Sequence, residues 1–152
     1  MIKNFLLSAI LLVITFTEAC AEQKPWIVIT DSWVRPTMGS KRSTAAYMNI
    51  TNSSEKADFL YKVTSAQAAK TELHKIVSDD KGVDHMVHID KLVIPAQQTV
   101  KLTTKGLHIM LFQLERVLFV GDKIELTLYF EKAGQIKLIV PVTKLKAQKN
   151  AK

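Results

Sequence analysis

Cysteine is almost missing from this chain: Cys20 is the one thiol, and it lies at the end of an N-terminal apolar stretch. A folded part that begins beyond it can form no disulfide and offer no thiolate, so its stability must come from an ordinary core. Motifs of catalysis are missing as well. The sequence has no G-x-S-x-G elbow, no glycine-rich phosphate loop and no H-E-x-x-H helix, which removes the commonest hydrolase, nucleotide and zinc-protease readings. An enzyme is not expected. Beyond the N-terminus no stretch holds a helical period, and there is no internal repeat or low-complexity linker.

The N-terminus itself reads as a secretory signal over residues 1–21. Met1-Ile2-Lys3 precedes an apolar run from Phe5 to Phe16, too short to span a bilayer, and then the small residues of Ala19-Cys20-Ala21. Cleavage after Ala21 fits the small-x-small rule and would leave one domain over residues 22–152. Cleavage before Cys20, with a lipid on that cysteine, is the less favoured route, because Thr17-Glu18-Ala19 is a poor lipidation sequence. Either way the folded part is expected outside the cytoplasm. The formal charge of +7 is unchanged by cleavage, since Lys3 and Glu18 leave together. A basic exported protein meets anionic headgroups or acidic protein surfaces rather than nucleic acid.

What the chain does have is alternation. Apolar residues recur at every second position through Ile124, Leu126, Leu128 and Phe130, and again through Ile136, Leu138 and Val140, the signature of strands with one buried face. Similar runs fall at residues 26–30, 45–51, 58–64, 71–77, 84–90, 99–103 and 108–115. Between them stand Asp79-Asp80-Lys81-Gly82, Pro95-Ala96-Gln97-Gln98, Thr104-Lys105-Gly106, Gly121-Asp122 and Ala133-Gly134. Strands punctuated this often predict an all-β sandwich. Residues 35–43 read as a longer surface loop containing Met38, Met48 reads as core, and residues 143–152 read as a basic, solvated tail.

Four side chains suggest chemistry. His74, Met86, His108 and Met110 are borderline and soft ligands, and thioether with imidazole favours a soft cation such as Cu(I). A hairpin centred on Asp80 would set His74 opposite Met86, and alternation puts His108 and Met110 on one face, roughly 7 Å apart. In that register His88 shares the face of Met86 and lies opposite Glu72, a His–carboxylate surface pair, while His85 points away. Singly, each of these residues is more often core filler or an idle surface histidine.

The order His74, eleven residues, Met86, twenty-one residues, His108, one residue, Met110 resembles the motif of the PCu(A)C family of periplasmic copper chaperones. The likeness extends through Trp33-Val34-Arg35, Ala45-Ala46-Tyr47-Met48, Glu72-Leu73-His74, Ile94-Pro95-Ala96, Gly106-Leu107-His108-Ile109-Met110-Leu111, Gly121-Asp122 and Leu126-Thr127-Leu128. The resemblance implies a cupredoxin-like sandwich, one Cu(I) per chain held by two Met and two His, and delivery to the dinuclear copper site of cytochrome c oxidase subunit II. Another periplasmic copper chaperone, or contact with an anionic membrane, would complete its partners, and a monomer is expected. Two positions where many relatives carry Met hold Lys75 and Asp84, and the tail has neither Met nor His, so a second, Cu(II) site is not expected.

Two rival readings follow from the same residues. A blue-copper electron carrier needs a cysteine ligand that the mature chain lacks. A metal-free exported interaction or assembly module would explain the strands and leave the four ligands as coincidence.

Overall fold

The computed structural model describes residues 25–144, so the expected secretory signal, Cys20 and most of the expected basic tail lie outside the described residues. Ten strands form: β1 (Ile27–Val34), β2 (Ser43–Asn52), β3 (Asp58–Thr64), β4 (Ala68–Ser78), β5 (Asp84–Ile89), β6 (Leu92–Ile94), β7 (Gln98–Leu102), β8 (His108–Leu114), β9 (Lys123–Phe130) and β10 (Gly134–Pro141). Nine of them coincide with the alternating runs. The tenth, β6, is three residues long and stops at Pro95, too short for a period of two to register in the sequence.

The strands make two antiparallel sheets. In one the order is β1-β2-β8-β4-β5, with β7 also on β2; in the other it is β10-β9-β3-β6. Strands β7 and β8 share β2 end to end: Met48–Asn52 pairs with β7 and Ser43–Ala46 with β8. Ala46, Met48 and Ile50 of β2, Leu73 of β4 and Ile109 and Leu111 of β8 join Leu60, Ile124, Leu126, Leu128, Phe130 and Val140 of the second sheet in one buried cluster. Each large aliphatic buried this way contributes roughly 1.5–3 kcal/mol. The fold is therefore the β-sandwich that the alternation predicts, of the cupredoxin-like, immunoglobulin-like kind that the family resemblance implies.

Alternation has a second consequence. Because Leu73, Ile109 and Leu111 point into the core, their neighbours His74, His108 and Met110 point to the outer face of the larger sheet. The loop between β1 and β2 runs along that face. It is pinned at Thr37, whose N–H donates to the Leu118 carbonyl at 3.0 Å and whose hydroxyl accepts from the Leu118 N–H at 3.0 Å. The first residue of the expected tail is not free: the Thr143 N–H donates to Val34 O at 3.0 Å.

Candidate metal centre

Strand register decides which side chains meet. His74 pairs directly with His108 across β4 and β8, and directly with His88 across β4 and β5, so three histidines form a row over three adjacent strands. The ring centroids of His74 and His108 are 5.9 Å apart, and those of His74 and His88 are 5.8 Å apart at 77°. Met110 pairs with Glu72 on one side of the row and Met86 with Ile76 on the other.

The expected pairing of His74 with Met86 is thus corrected. The hairpin turn is not centred on Asp80: Ser78 and Asp84 close the ladder, and Asp79 caps a five-residue loop by accepting from Lys81 N and Val83 N, both at 2.9 Å. Gly82 supplies the left-handed position, with φ of 76°, that such a loop needs. The register slides by two residues, which changes the partners but preserves the face, so His74, Met86 and His88 still share it. His88 accordingly faces His74 and not Glu72. His85 does turn away, and lies 3.0 Å from Asp79 Oδ2.

Glu72 belongs to His74 instead. Its Oε2 is 2.8 Å from His74 Nε2, while Oε1 is 2.6 Å from Lys70 Nζ. The lysine first, then the histidine, holds the Glu72 carboxyl down at about 2, so it is an acceptor only, and Nε2 must carry the proton. In neutral His74 the lone pair then sits on Nδ1, a buried atom with no protein partner. For His108 the assignment is the reverse. Its Nδ1 donates to the Gly106 carbonyl at 3.0 Å, leaving the lone pair on Nε2. Burial pushes the His108 imidazole below its ordinary range, which favours the neutral, ligating form.

Gly106 packs closely against a neighbouring side chain. A Cβ there would stand 2.9 Å from Thr103 Oγ1. Its carbonyl also accepts from the Ile76 N–H at 3.2 Å, so one oxygen ties β4 to the His108 ring. Behind His108 the rings of Tyr47 and Trp33 continue the packing, at 6.4 Å from His108 to Tyr47 and 4.5 Å from Tyr47 to Trp33. The Arg35 guanidinium lies 5.8 Å from the Tyr47 ring centroid.

A cavity of about 200 Å³ opens beside this packing, and His108, Met86, Met110, Ile76 and Met38 are among its walls. The histidines are nearly inaccessible, His74 at 9% and His108 at 3%, whereas Met86 is 50% exposed. The two imidazoles are thus buried, while a thioether of the same sheet face is accessible. Among the described residues no three His, Cys, Asp or Glu side chains converge as a metal-binding group, and the further soft donors bordering the cavity are the thioethers of Met86, Met110 and Met38. Two neutral imidazole lone pairs with thioethers make a donor set suited to a soft, low-charge cation. The role of Glu72 escaped the sequence reading, although its signal was present: Glu72-x-His74 is the spacing that places two side chains on one strand face.

The molecule is thus a β-sandwich with an imidazole–thioether cluster on the outer face of its larger sheet. Comparison with known proteins agrees with that class. Residues 27–142 match the family described as "Putative lipoprotein LpqE-like". The protein Lxx21020 of Leifsonia xyli subsp. xyli is 28% identical over 121 residues, covering 80% of this chain and 72% of its own length. Among solved structures, the copper-bound PCuAC domain of PmoF2 superposes with a TM-score of 0.67 at 26% identity, covering 79% of this chain and 94% of that domain. The Cu(I) form of DR1885 from Deinococcus radiodurans superposes with a TM-score of 0.65 at 31% identity, covering 83% of both chains. The chain belongs to the LpqE-like, PCuAC family.

Proposed function

We propose that this protein is an exported copper carrier that binds one Cu(I) through His74 Nδ1, His108 Nε2 and the sulfurs of Met86 and Met110. The observation that carries the reading is the pair of oriented imidazoles: Glu72 and Gly106 each occupy one ring nitrogen, and the free nitrogen of His74 is buried without a partner. Hydrogen bonds of this kind to the ring nitrogen that does not bind the metal fix the tautomer and raise the basicity of metal-bound histidines. Copper-bound relatives of the same fold support the identity of the ion.

All four ligands are neutral, so binding releases no proton from sulfur, and thioethers do not form disulfides in an oxidising compartment. A thiolate-bearing acceptor holds Cu(I) more strongly, which makes transfer downhill. The acceptor we infer is the dinuclear copper centre of cytochrome c oxidase subunit II, and the compartment is the periplasm. The family description as lipoproteins supports export. Met86, the most exposed of the four, is where an acceptor would first reach the ion.

The test is anaerobic titration of the mature protein with Cu(I) against a competing chelator, beside a variant carrying Met86→Leu and Met110→Leu. One tight equivalent in the native protein, weakened in the variant, supports the carrier. Absence of binding in both returns the protein to the metal-free interaction module. Transfer from the loaded protein to an isolated oxidase copper domain tests the acceptor.

A further inference from the structure

Five methionines occur in the chain, and the four carrier ligands account for two of them. Met48 is buried in the core. Met38 is different: it is 69% exposed, lies on the loop between β1 and β2, and yet borders the same cavity as Met86, Met110 and His108. Methionine so exposed gains little from burial, and its usual role as a core gap-filler does not apply.

Met38 is also held in place. On its N-terminal side Thr37 is bonded to Leu118 through both its backbone and its hydroxyl. On its C-terminal side the Lys41 N–H donates to the Met38 carbonyl at 3.3 Å across a turn whose Gly39 has φ of 59°. The loop is further fixed at its root, where the Thr44 hydroxyl donates to the Arg35 carbonyl at 2.6 Å. A flexible thioether is therefore mounted on a backbone anchored at three points, at the edge of a cavity that already contains two sulfurs and an imidazole.

The rest of the cavity wall indicates what could bind there. It includes the basic residues Arg35 and Lys41 and no Asp or Glu. That composition disfavours hard divalent cations, which require carboxylate or carbonyl oxygen. A soft monovalent ion bound by neutral sulfur is less affected by nearby positive charge, because the interaction energy scales with the ion's own charge.

We propose that Met38 is a third thioether ligand for Cu(I), taking the ion at the mouth of the cavity and exchanging it with Met86 and Met110. The proposal rests on the carrier reading above and adds a ligand to it. In sequence Met38 lies thirty-six residues before His74 and belongs to no spacing motif with the other ligands, and only the fold brings it to them. The transfer is a ligand exchange at constant oxidation state: one sulfur lone pair replaces another on Cu(I), with no proton or electron moved.

The experiment is an anaerobic Cu(I) titration of the mature protein carrying ¹³C-labelled methionine methyl groups, followed by NMR and assigned with single Met→Leu variants. The expected result is that the Met38, Met86 and Met110 methyl signals move together up to one equivalent while the Met48 signal stays fixed. Movement of Met86 and Met110 with Met38 unmoved overturns the proposal and leaves the carrier intact. No movement at any methionine overturns both. As a second readout, transfer of Cu(I) from the loaded protein to a competing chelator should slow by about 10-fold in Met38→Leu, equivalent to about 1.4 kcal/mol on the barrier. An unchanged transfer rate in that variant also refutes it.

Discussion

Replacing Glu72 tests the orientation of the site without touching a ligand. In the native protein the carboxylate accepts from His74 Nε2 at 2.8 Å and is held ionised by Lys70 at 2.6 Å, which leaves Nδ1 as the free donor. Glu72→Leu removes the acceptor. The neutral ring is then free to place its proton on either nitrogen and to turn about χ2, so coordination must first select the right tautomer and angle. Loss of such a partner typically lowers metal affinity by 10–100-fold, and that range is expected for Cu(I) in a competition titration. Glu72→Gln keeps an acceptor oxygen and should lose only a few-fold, below that range. Two-dimensional NMR of the imidazole nitrogens reads the cause directly: apo native protein should show His74 protonated on Nε2, and Glu72→Leu a mixture. Equal Cu(I) affinity in all three proteins, or a His74 proton on Nδ1 in the native protein, would refute the reasoning.

Further outcomes follow from other parts of the molecule. Met86→Leu, at a half-exposed position, should leave thermal stability within about 0.5 kcal/mol while weakening Cu(I) binding about 10-fold, measured by calorimetry and chelator competition. Asp58, fully buried, accepts backbone N–H bonds from Phe59, Lys132 and Ala133 at 2.7, 3.0 and 2.9 Å, so Asp58→Ala should cost roughly 3 kcal/mol in chemical denaturation with no change in the copper stoichiometry. His108 has a folded-state pKa below its ordinary value of about 6.5, so the unfolded chain binds its proton first. The stability it contributes is complete above that pH and is lost as pH falls, at up to about 1.4 kcal/mol per unit. Apo-protein melts between neutral and mildly acid pH should show this slope, and His108→Asn should flatten it.

How much of this the sequence displayed depended on the range of the interaction. Period-two alternation named nine strands because most of them have one buried face, and the facing of His74, His108 and Met110 followed from Leu73, Ile109 and Leu111 between and beside them. The partners across strands were not legible in the same way. Asp79 and the left-handed Gly82 enlarge the hairpin loop, and the two-residue slide that results puts His88 and not Met86 opposite His74. The direct pairing of His74 with His108 brings together residues thirty-four apart, which no local pattern encodes. Met38 is the extreme case, since the Thr37–Leu118 bonds that place its loop span 81 residues.

The orphan nitrogen of His74 bears on how a carrier can be both selective and willing to release. A buried polar atom without a partner costs roughly 1–3 kcal/mol in the free protein; in the site proposed above, coordination of an ion would remove that cost, so part of the binding energy would come from relieving a defect built into the apo state. The remainder would come from thioethers, which hold Cu(I) more weakly than thiolates. A site assembled from cysteines would form disulfides when empty in an oxidising compartment, and when loaded would resist donation. Here the core residues Leu73, Ile109 and Leu111 fix the strands, while the ligands occupy alternate positions on the opposite face. In the proposed site, ligand exchange at Met86 would therefore proceed without disturbing the packing that holds the two imidazoles ready.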